Sequence, residues 1–212
     1  MKKYTTIVVF SFTLFLIMAP KEVYAGFLLN RRVYLGLNND LSAYWSFDGT
    51  QVVGTTAFDE SGNAKDGTLT SGPTRAIGRV GQALDFDGTD DYISVGNVSA
   101  TVQSVSFWIK ADSTTKKIID LNGTASIEVI GGTITANSFT NSVIYVDGAV
   151  QSAIDTGWRH VVVLDGVGIN ASAVDLGRIG AGNVFDGKLD EVRMYNRALQ
   201  DSEIKRLYNT GR

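Results

Sequence analysis

The chain has 212 residues and a formal net charge of -3, with 23 glycines, 2 prolines and no cysteine. The weak negative charge and the lack of a dense Lys/Arg stretch argue against a nucleic-acid partner. The lack of cysteine excludes disulfides and a lipid-modified cysteine anchor. The glycine-rich, proline-poor composition favours short pleated strands joined by tight turns over long helices.

The N-terminus has the features of a signal peptide, which we place at residues 1–25. Lys2 and the lysine after it form a basic start, an apolar run follows over residues 7–19, and a V-x-A pattern ends at Ala25. A membrane-spanning helix needs about 20 apolar residues, so this run is short for one, and signal cleavage is favoured over the alternative of an uncleaved anchor. We therefore predict export to a secreted or cell-surface location, no membrane span after cleavage, and an N-terminal arm over residues 26–40.

Strand signals run almost without interruption from residue 41 to residue 195. Short apolar stretches such as "SAYWSF", "QALDFDG" and "DYISVG" are separated by turns that contain glycine, asparagine and aspartate. In "SVSFWIKA", Val105, Phe107 and Ile109 lie on one face and Trp108 lies on the other. The pattern predicts an all-β fold, a two-sheet antiparallel β-sandwich over residues 41–209.

The end of the chain departs from the strand pattern. In "DSEIKRLYN", Ile204, Leu207 and Tyr208 follow one another at helical spacing, and Asp201 or Ser202 can cap the first turn. We expect one short C-terminal helix that packs its apolar stripe on the sandwich.

Several motifs occur in a characteristic order between residues 41 and 208: "YWSFDG", "AFDESGNAKDGTL", "GRVGQALDFDGTDDYISV", "VSFWIKA", "IYVDG", "GWRHVVVLDG", "LGRIG" and "GKLDEVRMYNRALQDSEIKRLYN". In this order they resemble the laminin-G-like domains of the concanavalin A-like lectin/glucanase superfamily, of the bacterial secreted and cell-surface type. The resemblance implies a jelly roll of two stacked antiparallel sheets. It also implies binding to glycans or proteins, a structural calcium in many members, and few members that are enzymes on their own.

Catalytic residues of the superfamily's enzymes are missing. The glucanases carry E-x-D-x-x-E on one strand, because two carboxylates must flank a glycosidic bond, and no glutamate of this chain begins that spacing. The single histidine, His160 in "WRHVVVL", has no nucleophile-elbow motif to accompany it, which favours a structural role. We predict that the protein is not an enzyme.

Two functions fit this pattern. The favoured one is a secreted or cell-surface, non-catalytic binding module for a glycan or another extracellular polymer. The alternative is a protein–protein adhesion or envelope-structural module without sugar specificity, whose partners are surface proteins. A degraded relative of a glycosidase is a third, weaker interpretation.

The segment "LDFDGTDDY" gathers Asp85, Asp87, Asp90 and Asp91. An EF-hand loop requires glycine at its sixth position and glutamate at its twelfth, and counting from Asp85 gives Asp90 and a glycine instead. A hairpin turn across the Gly-Thr step, with an aspartate bonded to its backbone, is favoured over a metal site.

A structural calcium ion is expected elsewhere. Asp59 and Asn63 in "FDESGN", Asp190 in "GKLDEV" and Asp48 in "SFDG" supply oxygen ligands of the type that calcium takes. Because the first and last strands of an antiparallel sandwich often pair, these residues can come together, and the family resemblance favours calcium there. The alternative is that they only form turns and cap strands.

Aromatic side chains are the candidates for a sugar-stacking platform. Core packing is the favoured role for most of them. Trp108 lies on the polar face of its strand and Tyr145 in "VIYVDG" is similarly open, so these two are the candidate ligand-binding residues.

Overall fold

The computed structural model describes residues 36–180 and 184–211, so the predicted signal peptide and the arm as far as residue 35 lie outside the described residues. Within residues 36–180 and 184–211 we find no helix that could span a bilayer. The described elements are a series of strands, a short 3-10 helix and one α-helix, α1. They are the strands β1 (Leu41–Trp45), β2 (Val52–Val53), β3 (Thr56–Ala57), β4 (Gly67–Thr70), β5 (Thr74–Ile77), β6 (Gln82–Asp87), β7 (Tyr92–Gly96), β8 (Ser99–Ala111), β9 (Lys116–Asp120), β10 (Ser126–Ile130), β11 (Thr133–Asn137), β12 (Val143–Val146), β13 (Ala149–Val150), β14 (Arg159–Ala171), β15 (Val174–Leu176) and β16 (Asp186–Tyr195), the 3-10 helix (Gly49–Gln51) and α1 (Asp201–Thr210).

The strands form two antiparallel sheets. Sheet 1 has the order β13-β12-β14-β8-β16-β6-β5, and β1 also pairs with β16. Sheet 2 has the order β11-β10-β9-β15-β7-β4-β3-β2. The first and last strands therefore pair, with Trp45 opposite Val192. The predicted two-sheet antiparallel sandwich is confirmed.

The core lies between the sheets and follows the alternation of the sequence. On β8, Val105, Phe107 and Ile109 are fully buried, and Trp45 and Phe86 join the same cluster from β1 and β6. Each buried Val, Ile, Leu or Phe side chain contributes about 1.5–3 kcal/mol by leaving water. The apolar row of each strand thus fixes which face turns inward, and the opposite rows become the outer faces of the two sheets.

Helix α1 closes the chain as predicted, and it buries Ile204 and Leu207. The cap differs from the prediction. Gln200 precedes the first turn and donates its backbone N–H to Glu203 at 2.9 Å, while Asp201 is the first helical residue. A glutamate at the third helical position can satisfy an exposed amide of the first turn, which leaves the Asp201 side chain available for another contact.

Candidate functional site

The outer face of sheet 1 is covered at its centre by α1 and the residue after it. Trp108 is 3% exposed, and its ring centroid lies 5.1 Å from that of His160 and 5.9 Å from that of Tyr208. A Cβ atom on Gly211 would lie 2.6 Å from the Trp108 ring. The expectation that Trp108 is open for sugar stacking is therefore corrected, because the helix end covers the ring.

Tyr145 is half-buried on β12 beside the start of α1. Its hydroxyl donates to Asp201 Oδ1 at 2.8 Å, and this hydrogen bond, together with burial, raises the pKa of Tyr145. Tyr145, the second candidate ligand-binding residue, thus links α1 to sheet 1. Its ring edge stays partly exposed, but its polar group already has a partner.

His160 lies in the same covered region and is 1% exposed. Its Nε2 is 3.0 Å from Ser106 Oγ, and Nδ1 has no hydrogen-bond partner among the described residues. Burial, with a smaller contribution from the positive Arg193, lowers the pKa of His160 to about 3. The imidazole is therefore neutral at physiological pH and is enclosed by protein, as the structural interpretation requires.

The outer face of sheet 2 is polar and open. The register sets Asp175 of β15 opposite Ser94 of β7, and Ser94 opposite Thr68 of β4. The neighbouring row, Leu176 and Ile93, points into the core. Ser94 and Thr68 are exposed. Sheet 2 therefore presents a row of hydroxyl and carboxylate groups to solvent, whereas α1 covers the centre of sheet 1.

An aromatic and a charged pair stand at one end of this row. The Arg178 guanidinium carbon lies 3.3 Å from the Tyr92 ring centroid, and Arg178 Nε donates to Asp175 Oδ2 at 2.7 Å. The Arg178 and Asp175 side chains are 27% and 17% exposed. We call Tyr92, Asp175 and Arg178 the arginine patch. It presents hydrogen-bond donors, acceptors and a ring edge on one rigid surface.

A concave pocket of about 390 Å³ borders the arginine patch. Val184 lines the pocket and forms an isolated β-bridge with Arg178, which makes the two surfaces continuous. Other lining residues are Lys116 and the half-exposed Ile130. Lys116 lies 3.7 Å from Asp186. The pocket and the arginine patch therefore meet at Val184.

Strands β9, β10 and β11 carry a compact polar group, two members of which, Lys117 and Glu128, also line the pocket. Lys117 Nζ contacts Glu128 Oε2, and Asn137 Nδ2 contacts Glu128 Oε1. Asn137 Nδ2 is also 3.3 Å from Ser126 Oγ. Glu128 lies on the outer face, yet its side chain is 7% exposed because its two partners cover it.

Two of the predicted calcium ligands organise the loop after β3. Asp59 accepts hydrogen bonds from the amides of Tyr44, Ser61 and Lys65 at 2.9–3.0 Å. Burial alone would raise the pKa of Asp59, but these amides outweigh it and lower the pKa. Asn63 Nδ2 donates to Leu41 O at 2.8 Å. Both side chains therefore bind the loop to β1, Asn63 at its first residue and Asp59 near its end.

The other two predicted ligands lie at a different turn. Asp190 Oδ2 accepts from the amides of Arg79 and Val80 at 2.7 and 2.8 Å, and Asp48 Oδ1 accepts from the amide of Gln82 at 2.6 Å. Asp190 is fully buried, and its Oδ1 has no hydrogen-bond partner among the described residues. The structure thus divides the four predicted ligands into two pairs that hold two separate turns.

The acidic segment after β6 is a turn between sheets and not a hairpin, because β6 belongs to sheet 1 and β7 to sheet 2. Asp91 Oδ2 accepts from the Asp87 amide at 3.1 Å, as expected for an aspartate bonded to the turn backbone. Asp85 instead pairs with Lys188 at 2.7 Å. Among residues 36–180 and 184–211, only Asp87, Asp90 and Asp91 form a group of at least three acidic, histidine or cysteine ligands with donor atoms within 4.8 Å of one another.

The arginine patch has no clear signal in the sequence. Tyr92 and Asp175 belong to strand motifs, and Arg178 lies in "LGRIG", where it resembles a turn residue. Only the pairing of β15 with β7 brings them together. Ile118 and Ile119 are both buried, so β9 does not show a regular alternation of buried and exposed residues. The contacts of Glu128 with Lys117 and Asn137 could therefore not be predicted from the sequence pattern.

Neither a protein-family model nor a curated protein matches the chain. Among solved structures it is similar to domain 4 of AbnA, a GH43 extracellular arabinanase from Geobacillus stearothermophilus, in complex with arabinotriose. The TM-score is 0.54 at 21% identity, over 80% of this chain and 98% of that one.

Similarity extends to parts of larger proteins. A mutant Trypanosoma rangeli sialidase with trans-sialidase activity matches with a TM-score of 0.56 at 15% identity, over 81% of this chain and 33% of the sialidase chain. The binding domain of Paraclostridial Mosquitocidal Protein 1 matches with a TM-score of 0.51 at 16% identity, over 82% of this chain and 53% of that one. At these identities the similarities show a shared β-sandwich fold.

Proposed function

We propose that the protein is a secreted or cell-surface, non-catalytic binding module of the laminin-G-like type, and that it recognises a glycan on the outer face of sheet 2. The observation that carries this proposal is the contrast between the two outer faces. Helix α1 covers the centre of sheet 1, whereas sheet 2 presents the arginine patch beside a pocket of about 390 Å³. The complex of AbnA domain 4 with arabinotriose supports the choice of ligand class, since that domain has the same sandwich fold.

The arginine patch offers complementary groups for sugar hydroxyls. Arg178 keeps N–H donors that Asp175 does not use, and Asp175 can accept from a hydroxyl. The ring of Tyr92 supplies apolar surface against which sugar C–H groups can pack. Because Arg178 and Asp175 neutralise each other, the patch suits an uncharged glycan, and Val184 leads a longer chain into the pocket.

A glycan array tests the proposal. Purified protein should retain a selective set of uncharged glycans, and Arg178→Ala should abolish retention while the protein stays folded. Arg159→Ala is the matched control, since Arg159 is also a partly exposed, ion-paired arginine, bonded to Asp147 and Asp155 away from the patch. Equal retention by wild type and R178A would place the ligand elsewhere. If the wild type retains no glycan on the array, the alternative function described below is favoured.

The proposal includes a structural calcium ion that supports the fold. Of the predicted ligands, Asp190 fits best, because its buried Oδ1 lacks a partner, and Asp48 holds the same turn. Asp59 fits poorly, because amides already occupy its oxygens. We expect EDTA to lower the melting temperature of the wild type and to have no such effect on Asp190→Ala. If EDTA changes the melting temperatures of both proteins equally, Asp190 is not a ligand of the calcium ion.

We also propose that the protein does not catalyse a reaction. His160 is neutral, enclosed and directed at Ser106 beneath α1, so substrate could reach it only if the helix moved away. A panel of arabinan, sialoside and glucan substrates should give no turnover above that of heat-denatured protein. Turnover by the wild type that is lost in His160→Gln would contradict the proposed absence of catalysis.

Protein–protein adhesion is the second candidate function, and the sheet edges favour it. Ile77 on β5, Val53 on β2 and Val150 on β13 are 87%, 57% and 69% exposed. All three lie on edge strands, whose unpaired backbone groups can add a strand from another protein. Binding to a surface protein that Ile77→Asp weakens, together with a silent glycan array, would support this function.

A further inference from the structure

We propose that Lys117 and Asn137 become joined by an intramolecular isopeptide bond, with Glu128 transferring the protons. The three side chains lie on consecutive strands of sheet 2, β9, β10 and β11. Lys117 Nζ contacts one oxygen of the Glu128 carboxylate and Asn137 Nδ2 contacts the other. A single acidic group therefore touches both an amine and the leaving nitrogen of a carboxamide.

The strand register creates this juxtaposition. Lys117 is directly opposite Glu128, after a register shift that adds a residue to β9. Asn137 is opposite Ser126, one same-face position along β10 from Glu128. Residues on one face of neighbouring strands are within reach of long side chains, including diagonal pairs. Lys117 and Asn137 therefore both reach Glu128, which lies on the strand between theirs.

The environment supports proton transfer by Glu128. Its side chain is 7% exposed, whereas that of Lys117 is 33% exposed. Little water competes for the carboxylate, so its contacts with the amine and the amide act in a medium of reduced dielectric constant. An amine must lose its proton before it can act as a nucleophile, and an adjacent base is the usual means of activation.

The reaction balances without a cofactor or an oxidant. Glu128 takes a proton from the Lys117 ammonium group, and the neutral Nζ attacks Asn137 Cγ to form the new C–N bond. Glu128 then passes this proton to Nδ2, the Cγ–Nδ2 bond breaks as the attacking nitrogen gives up its second proton to the leaving group, and ammonium leaves. The products are a secondary amide between the two side chains and one ammonium ion, and Glu128 is regenerated as the carboxylate.

The bond would fasten an edge strand. β11 is the outermost strand of sheet 2, and it has one neighbour in that sheet, β10. A link from Asn137 to Lys117 would tie β11 to β9 across β10. The chain contains no cysteine, so a disulfide is not available for this purpose, and the amide bond would resist reduction.

Intact-mass spectrometry of the purified, folded full-length product tests the bond. We expect the wild type to weigh one ammonia molecule less than its measured N-terminus and sequence require, and tryptic digestion to give a branched Lys117–Asn137 peptide. Lys117→Arg keeps a cation beside Glu128 but removes the nucleophile, and Glu128→Gln removes the base. Both variants should have the full sequence mass and a circular dichroism spectrum like that of the wild type.

Two controls separate the bond from other losses of ammonia. The Asn122-Gly123 step can form a succinimide of the same mass, so Asn122→Ala should keep the loss if the bond is present. Lys116→Arg should also keep it. Full sequence mass in the folded wild type would overturn the proposal. A mass loss that persists in Lys117→Arg, or that disappears in Asn122→Ala, would overturn it equally.

Discussion

Replacement of Asp190 by asparagine tests how a buried carboxyl group governs the stability of the sandwich. Asp190 is fully buried. Burial raises its pKa to about 7, although the amides of Val80 and Arg79 oppose the increase and the negative Glu191 and Asp48 add to it. The folded protein therefore holds a proton on Asp190 over a pH range in which the unfolded chain has released it.

The size of the effect follows from that difference. The reference pKa is 3.8 and the folded value is about 7. Each pH unit between them is worth about 1.4 kcal/mol, so ionisation costs the folded state about 4 kcal/mol in total. The contribution of the protonated carboxyl is fully present below pH 3.8 and is lost as the pH rises through about 7. Stability from this group therefore falls with rising pH.

Asparagine has nearly the shape of the protonated acid and does not ionise. Its carbonyl oxygen can accept the two amides that Asp190 Oδ2 accepts now. We expect Asp190→Asn to match the wild type near pH 4 and to exceed its free energy of unfolding by up to about 4 kcal/mol near pH 8. Urea denaturation across that pH range measures the difference, and thermal melting should show about 2–4 °C per kcal/mol.

A difference in the free energy of unfolding between the two proteins that stays constant with pH would refute this account of Asp190.

Calcium provides a second test of the same two proteins. If the ion binds Asp190, added calcium should stabilise the wild type near pH 8 and leave the variant unchanged, because calcium would compensate the ionised carboxylate. The variant would then be the less stable protein in calcium and the more stable one in EDTA.

Three other variants probe the packing. Trp108→Ala should lower the free energy of unfolding by about 3–5 kcal/mol in urea denaturation and leave glycan retention per folded molecule unchanged; selective loss of retention would restore Trp108 as a platform. Gly81→Ala should lower the free energy of unfolding by at least about 1–2 kcal/mol, because Gly81 has φ +61° and an added Cβ would collide with Asp48 Oδ1. An unchanged melting temperature would contradict this. Tyr145→Phe removes the hydrogen bond to Asp201 and should cost about 1 kcal/mol or less, and a larger loss in the same assay would show that the contact does more than fasten the helix.

The sheets could be predicted because burial imposes a period of two on each strand. Val105, Phe107 and Ile109 show that period plainly, and they lie in the core as expected. The pairing of β1 with β16 was also expected. The cap of α1 was predicted wrongly, because Asp201 and Ser202 are better capping residues by type than Gln200, and the contacts of Glu203 and Tyr145 with this turn are visible only in the fold.

The site residues depend on register, which a single sequence does not reveal. Pairing of the first and last strands was not enough to bring Asp59 to Asp190. Asp59 lies in the loop after β3 and accepts amides near β1, whereas Asp190 turns toward the amides of Arg79 and Val80. In the same way, Arg178 meets Tyr92 only because β15 pairs with β7.

Trp108 shows why alternation alone cannot locate a binding surface. The period of two places its ring on the outer face of sheet 1, opposite Phe107, and in a bare two-layer sandwich that face would be open to solvent. Helix α1 adds a third layer there, and Tyr208 and Gly211 cover the ring. A helix that closes the chain over one sheet therefore leaves the other sheet as the available face, which is why the arginine patch, and not Trp108, is where we place the glycan.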